Sequence, residues 1–356
     1  MITHSSIAPL TVAQLAYQRA KELHSFAHYT GILTLNGLAR LALCAESAEL
    51  RAQLLEEAQL QYRPFLSGEA EISFCNFDCY RCGGSGAAYL WWKDALPNAD
   101  ASTFEPFINQ LLNEAPRDKN GALCHPEDAA SERIWIDIAF AVTPFLLYCG
   151  LKLERDDLIS QAWKETRLLI EALYVPETGL VNQAINFRGP GHRTDDHWSR
   201  GNGWAIHGLA ALIESMPKQH PDRPTVEKMY VKFVDACLKY QNPNNGLWHQ
   251  EMTNPESYIE TSGSGLLLHG IGIGLADGIL NASYQESFDR GLKGYLSYIA
   301  LNGSVHNTCT GCLCPNQGTK EDYIQRTHKT DDCHAHGPVI FAYAQAYANG
   351  IKTIKL

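Results

Sequence analysis

The stretch Gly201-Asn-Gly-Trp-Ala-Ile206 shows the pattern that decides the fold, which is small residues followed by an apolar run. Five other short segments repeat this pattern, and helices that are apolar on every face are normally buried. We take one marker residue from each segment, at positions 31, 84, 137, 201, 263 and 337, and successive markers are 53 to 74 residues apart. Recurrence at such a period is the mark of a repeat architecture.

Amphipathic helices are predicted between these apolar segments, with apolar residues at three- and four-residue spacing over 45–62, 156–173, 225–240 and 284–301. Pairing each apolar helix with an amphipathic one gives six helical hairpins. The predicted fold is therefore all-α, an (α/α)6 barrel forming a single domain over residues 1–356. The structural alternative is an open α-solenoid that binds protein, although solenoid surfaces rarely carry this much Trp, His and Gly.

Three of the predicted loops between an outer and an inner helix contain a turn dipeptide followed by a polar residue. In a barrel of hairpins, such loops all lie on one rim, and polar residues collected there from several repeats make a site. The three loops are Asn120-Gly121 leading to His125, Thr178-Gly179 leading to Gln183, and Asn245-Gly246 leading to His249.

The composition is that of a globular protein, with 45% hydrophobic and 19% charged residues among 356. A net charge of -10 argues against nucleic acid or an anionic membrane as a partner. No apolar run reaches membrane-spanning length. The N-terminal segment lacks the basic start and apolar core of a signal peptide, so we expect a cytoplasmic protein whose 11 cysteines are reduced. The sequence leaves the oligomeric state open.

The run His197-Trp-Ser-Arg-Gly-Asn-Gly-Trp204 carries the clearest signs of a binding site. Aromatic faces beside a guanidinium suit a sugar ring that bears a carboxylate. Asp137 is a lone carboxylate in a predicted apolar helix, and burial would raise its pKa toward that of a general acid. Asp78 precedes another inner helix and so lies on the same rim. Two such carboxylates indicate acid/base chemistry at a glycoside. The structural alternatives are packed tryptophans, a hydrogen-bonded buried Asp137, and a capping Asp78.

Several motifs together resemble one family, the unsaturated rhamnogalacturonyl hydrolases of glycoside hydrolase family 105. The resemblance runs in order from about residue 28 to residue 345, and the motifs are specific as a set. They are the run 197–204, Trp135-Ile-Asp137 with Pro144-Phe145-Leu146, Asn245-Gly-Leu-Trp-His-Gln250, Tyr258-Ile-Glu-Thr-Ser-Gly-Ser264, and Asp331-Asp332-Cys-His334-Ala-His-Gly337-Pro338. The family fold is also an (α/α)6 barrel.

The resemblance implies removal of a 4,5-unsaturated uronic acid, galacturonyl or glucuronyl, from oligosaccharides made by polysaccharide lyases, such as the rhamnogalacturonan disaccharides of pectin degradation. An aspartate donates a proton to C4, water adds at C5, and the resulting hemiketal collapses to release the partner sugar. Asp137 matches the catalytic aspartate of the family and Asp78 matches the second one. The implied chemistry needs no metal and no organic cofactor, and its partner is the small oligosaccharide.

Substrate-binding roles are expected for further rim residues. Arg200 is the candidate ligand of the uronate carboxylate, because a fork of donors suits a carboxylate. We expect Trp198 and Trp204 to supply stacking surface, and His125, His197 and His334 to line the pocket. One departure concerns Gln183, where family members often have His. This side chain can hydrogen-bond sugar hydroxyls but cannot titrate, which leaves the uronate and its aglycone undecided.

Three other functions remain open from the sequence. The group Cys309, Cys312, Cys314, Cys333 and His334 could hold zinc in a thiol enzyme on a similar α/α toroid. A barrel that binds sugar without catalysis would keep the aromatic run but not depend on Asp137. A sugar epimerase on this fold would rely on paired inward histidines.

Overall fold

The computed structural model describes residues 6–26, 29–67, 84–125, 130–313 and 318–356. Within these residues the apolar segments form an inner ring of six helices: α2 (Tyr29–Cys44), α4 (Gly84–Trp92), α6 (Ile138–Leu153), α8 (Ser199–Ser215), α10 (Thr261–Asp277) and α13 (His336–Ala348). Each inner helix contacts the next, and α13 returns to α2, so the ring is closed.

The amphipathic segments form the outer layer: α1 (Pro9–Leu23), α3 (Ala48–Leu66), α5 (Ala101–Asn109), α7 (Asp156–Leu173), α9 (Arg223–Leu238) and α11 (Gln285–Leu296). Each outer helix packs on a neighbouring inner one, as α1 does on α13 and α7 on α6. Helix α5 reaches α4 through the stacked rings of Phe104 and Trp91, whose centroids are 4.5 Å apart. The prediction of an (α/α)6 barrel is confirmed, and the closed ring excludes the open solenoid. The single-domain assignment stays a prediction.

The core lies between and within the two layers. Helix α6 is buried on every side from Ile138 to Gly150, whereas α7 buries one face only. Close approach of two inner helices depends on Gly263, because a Cβ there would lie 2.1 Å from the Ser199 Oγ. No helix in the described part of the chain has both the length and the apolar character needed to cross a bilayer.

The short strands pair in antiparallel couples. They are β1 (Ser6–Ile7) with β8 (Ile354–Lys355), β2 (Ile134–Trp135) with β3 (Ala184–Ile185), β4 (Trp248–His249) with β5 (Ile259–Glu260), and β6 (Thr308–Cys309) with β7 (His328–Lys329). The last three couples lie in the loops that lead into inner helices. These loops, together with the N-terminal ends of the inner helices, form one rim of the barrel. A short helix, α12 (Lys320–Ile324), lies in the loop before α13.

The predicted rim loops are confirmed, since all three connect an outer helix to the following inner one. Gly246 has a φ of +70°, a conformation that favours glycine, and a Cβ there would lie 2.4 Å from the Gly291 backbone nitrogen. The turn therefore packs directly against the next outer helix.

The structure corrects the placement of Asp137, which the sequence put inside an apolar helix. Ile134 and Trp135 belong to β2, the Ile136 amide donates to the Gln183 carbonyl at 3.0 Å, and α6 begins only at Ile138. Strand pairing therefore ends the extended segment directly before the helix. As a result, the carboxyl lies at the rim.

Candidate active site

Asp137 is held at the rim between β2 and α6, where it is half-buried. Burial raises the pKa of its carboxyl from 3.8 to about 6, although a hydrogen bond from Gln183 and the charge of Arg200 act in the opposite direction. Trp204 also lies close enough to lower this pKa by hydrogen bonding. A carboxyl with a pKa near 6 exchanges its proton readily close to neutral pH, which is what a general acid needs.

Gln183 connects Asp137 to a residue far away in the chain. Its Nε2 donates to the Asp137 Oδ2 at 2.9 Å, and its Oε1 accepts from the Tyr323 hydroxyl at 3.2 Å. The pairing of β2 with β3 positions Gln183 beside Asp137, while Tyr323 comes from α12. The side chain expected to bind substrate therefore contacts the carboxyl of Asp137.

Arg200 lies at the start of α8 and is 1% exposed. Its Nη1 donates to the Ser262 Oγ and to the Cys309 carbonyl, both at 2.9 Å. Its Nε and Nη2 have no hydrogen-bond partner among the described residues. The nearest carboxylate in an ion pair with it is Glu260, at 4.0 Å. Because buried donors are nearly always satisfied, these two nitrogens are candidates to bind a ligand.

The two tryptophans of the 197–204 run are both buried. The Arg200 guanidinium lies 4.5 Å from the Trp198 ring centroid, and the Trp204 ring packs on Phe140 at 4.7 Å. Trp198 thus contacts the cation directly. The prediction that either ring stacks on a sugar stays a prediction.

His125 lies on the rim beside β2. Its ring centroid is 4.8 Å from that of Trp135 and 5.8 Å from that of Phe187. Trp135 is half-buried, and its indole Nε1 is buried without a partner among the described residues. The three rings form an aromatic cluster, and its member Trp135 precedes Asp137 by two residues.

His197 uses both of its ring nitrogens in the structure. Nδ1 contacts the Glu251 Oε1 at 3.0 Å, and Nε2 contacts the Thr178 Oγ1 at 3.0 Å. The Glu251 carboxylate also accepts from the His197 backbone amide at 2.9 Å. The ring is thus occupied in holding the loop before α8, and its predicted contact with substrate stays a prediction.

His334 lies in the loop before α13, where its Nδ1 is 2.8 Å from the Asp332 Oδ1. Burial and the positive charge of Arg200 lower the pKa of His334. Burial opposes ionisation of Asp332, but His334 and Arg200 lower its pKa to about 2. Arg200, Asp332 and His334 therefore form one electrostatic group near Asp137.

Ligand atoms of Asp332, Cys333 and His334 lie within 4.8 Å of one another, so this trio could in principle hold a metal ion. Its members already hydrogen-bond to one another, with the Cys333 Sγ 3.6 Å from both neighbours. The charge of Arg200 also acts on this group and opposes a divalent cation. Of the cysteines in the zinc prediction, Cys314 lies outside the described residues.

Asp78, the second predicted catalytic aspartate, also lies outside the described residues. The structure adds a carboxylate that sequence reasoning missed, the buried Asp196. It accepts from the backbone amides of Trp198 at 2.9 Å and Gln183 at 3.2 Å, and burial raises its pKa to about 6. Its position just before a helix was a signal for a capping role. Tyr323 had no comparable signal.

The chain is similar to several known proteins. The sequence profile of Glycosyl Hydrolase Family 88 matches residues 8–349. The unsaturated rhamnogalacturonyl hydrolase YesR of Bacillus subtilis is 26% identical over 207 residues, which is 56% of this chain and 58% of that protein. An unsaturated 3S-rhamnoglycuronyl hydrolase of Formosa agariphila is 28% identical over 212 residues, 56% of this chain and 55% of that protein. The aligned regions thus span little more than half the length of these curated relatives.

A solved structure of a family 105 glycoside hydrolase from C. acetobutylicum has a TM-score of 0.78 and 20% identity, covering 94% of this chain and 99% of that one. At that identity the likeness shows the shared fold. The expected resemblance to unsaturated uronyl hydrolases is confirmed, and no comparison supports the zinc-dependent thiol enzyme. By its match over nearly the whole sequence, the chain belongs to Glycosyl Hydrolase Family 88.

Proposed function

We propose that this protein hydrolyses oligosaccharides that carry a 4,5-unsaturated uronic acid at the non-reducing end. The proposal is supported by two groups that interact electrostatically: Asp137, whose pKa is raised to about 6, and the buried Arg200, which has two donors without a partner among the described residues. The first group suits proton transfer near neutral pH, and the second suits a carboxylate. An unsaturated uronate needs both.

Arg200 would bind the uronate carboxylate through Nε and Nη2. Those two nitrogens form one edge of the guanidinium, the edge that pairs with both oxygens of a carboxylate. The Trp198 ring at 4.5 Å and the fixed Nη1 hold this edge in place, so little side-chain entropy is lost on binding. The partial positive charge at the N-terminal ends of the inner helices adds to the attraction for an anion.

Asp137 would act first as acid and then as base. It gives its proton to C4 of the enol ether, and the positive charge that develops at C5 is shared with the ring oxygen. The resulting carboxylate takes a proton from the water that attacks C5, which restores the acid and leaves a hemiketal. Collapse of the hemiketal breaks the bond between C5 and the ring oxygen and leaves a hemiacetal at C1, whose own collapse breaks the glycosidic bond and releases the partner sugar, with one water consumed overall. General acid–base catalysis of this kind contributes about 10²–10⁴-fold to rate.

The test follows the ultraviolet absorbance of the conjugated uronate in lyase-generated rhamnogalacturonan and ulvan disaccharides. We expect the absorbance to decay with the wild-type protein and an equimolar free sugar to appear. Asp137→Asn should lose about 10³-fold or more in kcat, because its amide cannot supply the proton. The faster of the two substrates identifies the preferred linkage and aglycone.

Two results would contradict the proposal. If the absorbance of both disaccharides stays unchanged with the wild-type protein, the proposed hydrolysis is wrong. If the absorbance decays equally fast with the wild-type protein and with Asp137→Asn, Asp137 is not the general acid. Calorimetry with Asp137→Asn distinguishes the proposed enzyme from a sugar-binding barrel without catalysis. In such a barrel, the wild-type and variant proteins would bind a disaccharide equally and neither would consume it.

A further inference from the structure

A chain of hydrogen bonds with one fixed direction ends on the carboxyl of Asp137. The Leu313 amide donates to the Tyr323 hydroxyl at 3.3 Å, and that hydroxyl donates to the Gln183 Oε1 at 3.2 Å. The Gln183 Nε2 then donates to the Asp137 Oδ2 at 2.9 Å. An amide hydrogen can only be donated, so the first bond leaves the Tyr323 proton for Gln183.

We propose that Tyr323 is a positioning residue that fixes the orientation of the Gln183 amide, so that the proton of Asp137 is kept on the oxygen facing the substrate. The proposal rests on the proposed function of Asp137 as the general acid. Tyr323 does not touch the reacting atoms and acts only through Gln183.

The chemistry of an amide explains why its orientation matters. Its two ends have opposite hydrogen-bonding character, and rotation by half a turn exchanges them. With Nε2 toward Asp137, the amide stabilises Oδ2 without a proton, so the proton of the acid form resides on Oδ1. With Oε1 toward Asp137, the amide would accept that proton and hold it away from C4.

Tyr323 is itself held firmly for this role. It is fully buried and packs near Trp198, with ring centroids 5.9 Å apart. Its helix α12 begins with a capping box, in which the Asp322 amide donates to the Thr319 Oγ1 at 3.1 Å. The preceding Gly318 carbonyl accepts from the Asp195 amide at 3.1 Å, which ties α12 to the segment before α8. These contacts hold the hydroxyl beside Gln183.

The second support of Gln183 comes from its own backbone. Its amide donates to the Asp196 carboxylate at 3.2 Å, and Asp196 also accepts from the Trp198 amide. The main chain of Gln183 is thus fixed by Asp196 and its side chain by Tyr323. Removal of the Tyr323 hydroxyl leaves the backbone in place and removes a donor that distinguishes the oxygen of the Gln183 amide from its nitrogen.

The test measures kcat and KM against pH for Tyr323→Phe, Gln183→Leu and the double variant. Tyr323→Phe should lower kcat about tenfold with little change in KM, and move the basic limb of the profile up by about 0.5–1 pH unit, because an accepting amide favours the protonated acid. Gln183→Leu removes a donor to the carboxylate and should move the same limb upward.

The double variant separates positioning from general damage. Because Tyr323 acts through Gln183, adding Tyr323→Phe to Gln183→Leu should change neither kcat nor the pH profile further. The control is Tyr230→Phe, which removes a buried hydroxyl that donates to the Gly270 carbonyl at 2.6 Å, in α9 and away from the site. It should keep the wild-type profile.

Either of two outcomes overturns the proposal. One is a Tyr323→Phe profile that coincides with the wild type. The other is a Tyr323→Phe effect that persists in the Gln183→Leu background. If Tyr323→Phe does not fold by circular dichroism, the comparison of Gln183→Leu with the isosteric Gln183→Glu decides, because an acceptor in place of the donor should move the limb further than leucine. A wild-type protein without activity would instead contradict the proposed function.

Discussion

A buried arginine lies at each end of helix α8, one within the helix and one at the start of α9. The two arginines differ in how many of their nitrogens have hydrogen-bond partners. Arg200 at the N-terminal end is 1% exposed and uses only Nη1 among the described residues. Arg223, which packs on the C-terminal end of α8, is 2% exposed and uses Nε, Nη1 and Nη2. Its partners are Glu227 at 2.7 Å, Asp277 at 3.1 Å, and the carbonyls of Leu212, Ile213 and Met216.

This difference is the reason for assigning Arg223 a structural role and Arg200 the binding role of the proposed function. Arg223 forms ion pairs with two carboxylates and donates to three carbonyls at the C-terminal end of α8, so its charge is compensated within the fold. Arg200 has two buried donors without a partner in the described part of the chain, which is costly unless a ligand accepts from them. Arginine thus compensates charge within the fold at one end of α8 and, under the proposed function, would bind an anion at the other.

The largest effect is expected at the structural end. Arg223→Ala should lower the free energy of unfolding by about 3–5 kcal/mol, because it removes a buried cation that contacts Glu227, Asp277 and the carbonyls at the end of α8. The molecules that remain folded should keep the wild-type kcat/KM. Urea unfolding and activity at low temperature measure the two quantities. A variant that loses kcat/KM while keeping its stability would break the contrast between the two ends.

At the N-terminal end of α8, Arg200→Gln should lower activity and leave stability nearly unchanged. We expect kcat/KM for the unsaturated disaccharides to fall about 100-fold, equal to about 2.7 kcal/mol, through the lost bidentate contact with the uronate. Stability should change by less than about 1 kcal/mol, since the neighbouring Glu260 already accepts from the backbone amides of Ser262, Gly263 and Cys309. A methyl-esterified substrate offers the matched control, because it lacks the charge that Arg200 would recognise. Equal losses on both substrates would contradict this assignment.

A smaller effect is expected in how the stability difference between the wild type and Asp137→Asn depends on pH. The pKa of Asp137 is 3.8 ordinarily and about 6 in the folded protein, so its burial costs nothing below pH 3.8 and the full amount above pH 6. Asp137→Asn avoids this cost and should be more stable than the wild type by about 1–3 kcal/mol above pH 6. The gain should vanish as the pH falls toward 3.8.

Thermal or urea unfolding across that pH range measures the gain. Asp277→Asn is the matched control, since this carboxylate binds Lys218 at 2.7 Å as well as Arg223 and should lose stability when neutralised. A pH-independent difference between wild type and Asp137→Asn would show that the carboxyl is not destabilised by burial.

Much of the architecture could be predicted from local sequence. The six apolar segments begin near the markers at 31, 84, 137, 201, 263 and 337, and α7 has the predicted bounds of residues 156–173. The Asn-Gly and Thr-Gly turns placed three loops on the correct rim. Asp137 was singled out as a lone carboxylate in apolar surroundings, but its position relative to α6 was wrong, because pairing of β2 with β3 is a contact between distant segments.

The sequence alone determined the repeat and the rim, because helix periodicity and turn chemistry depend on residues that are close in the chain. The tertiary structure decided which polar groups are satisfied. Tyr323 reaches Gln183 across 140 residues, and Asp277 reaches Arg223 across 54. Whether a buried arginine is saturated or left open depends on such partners, and their approach is fixed only when the ring of helices closes.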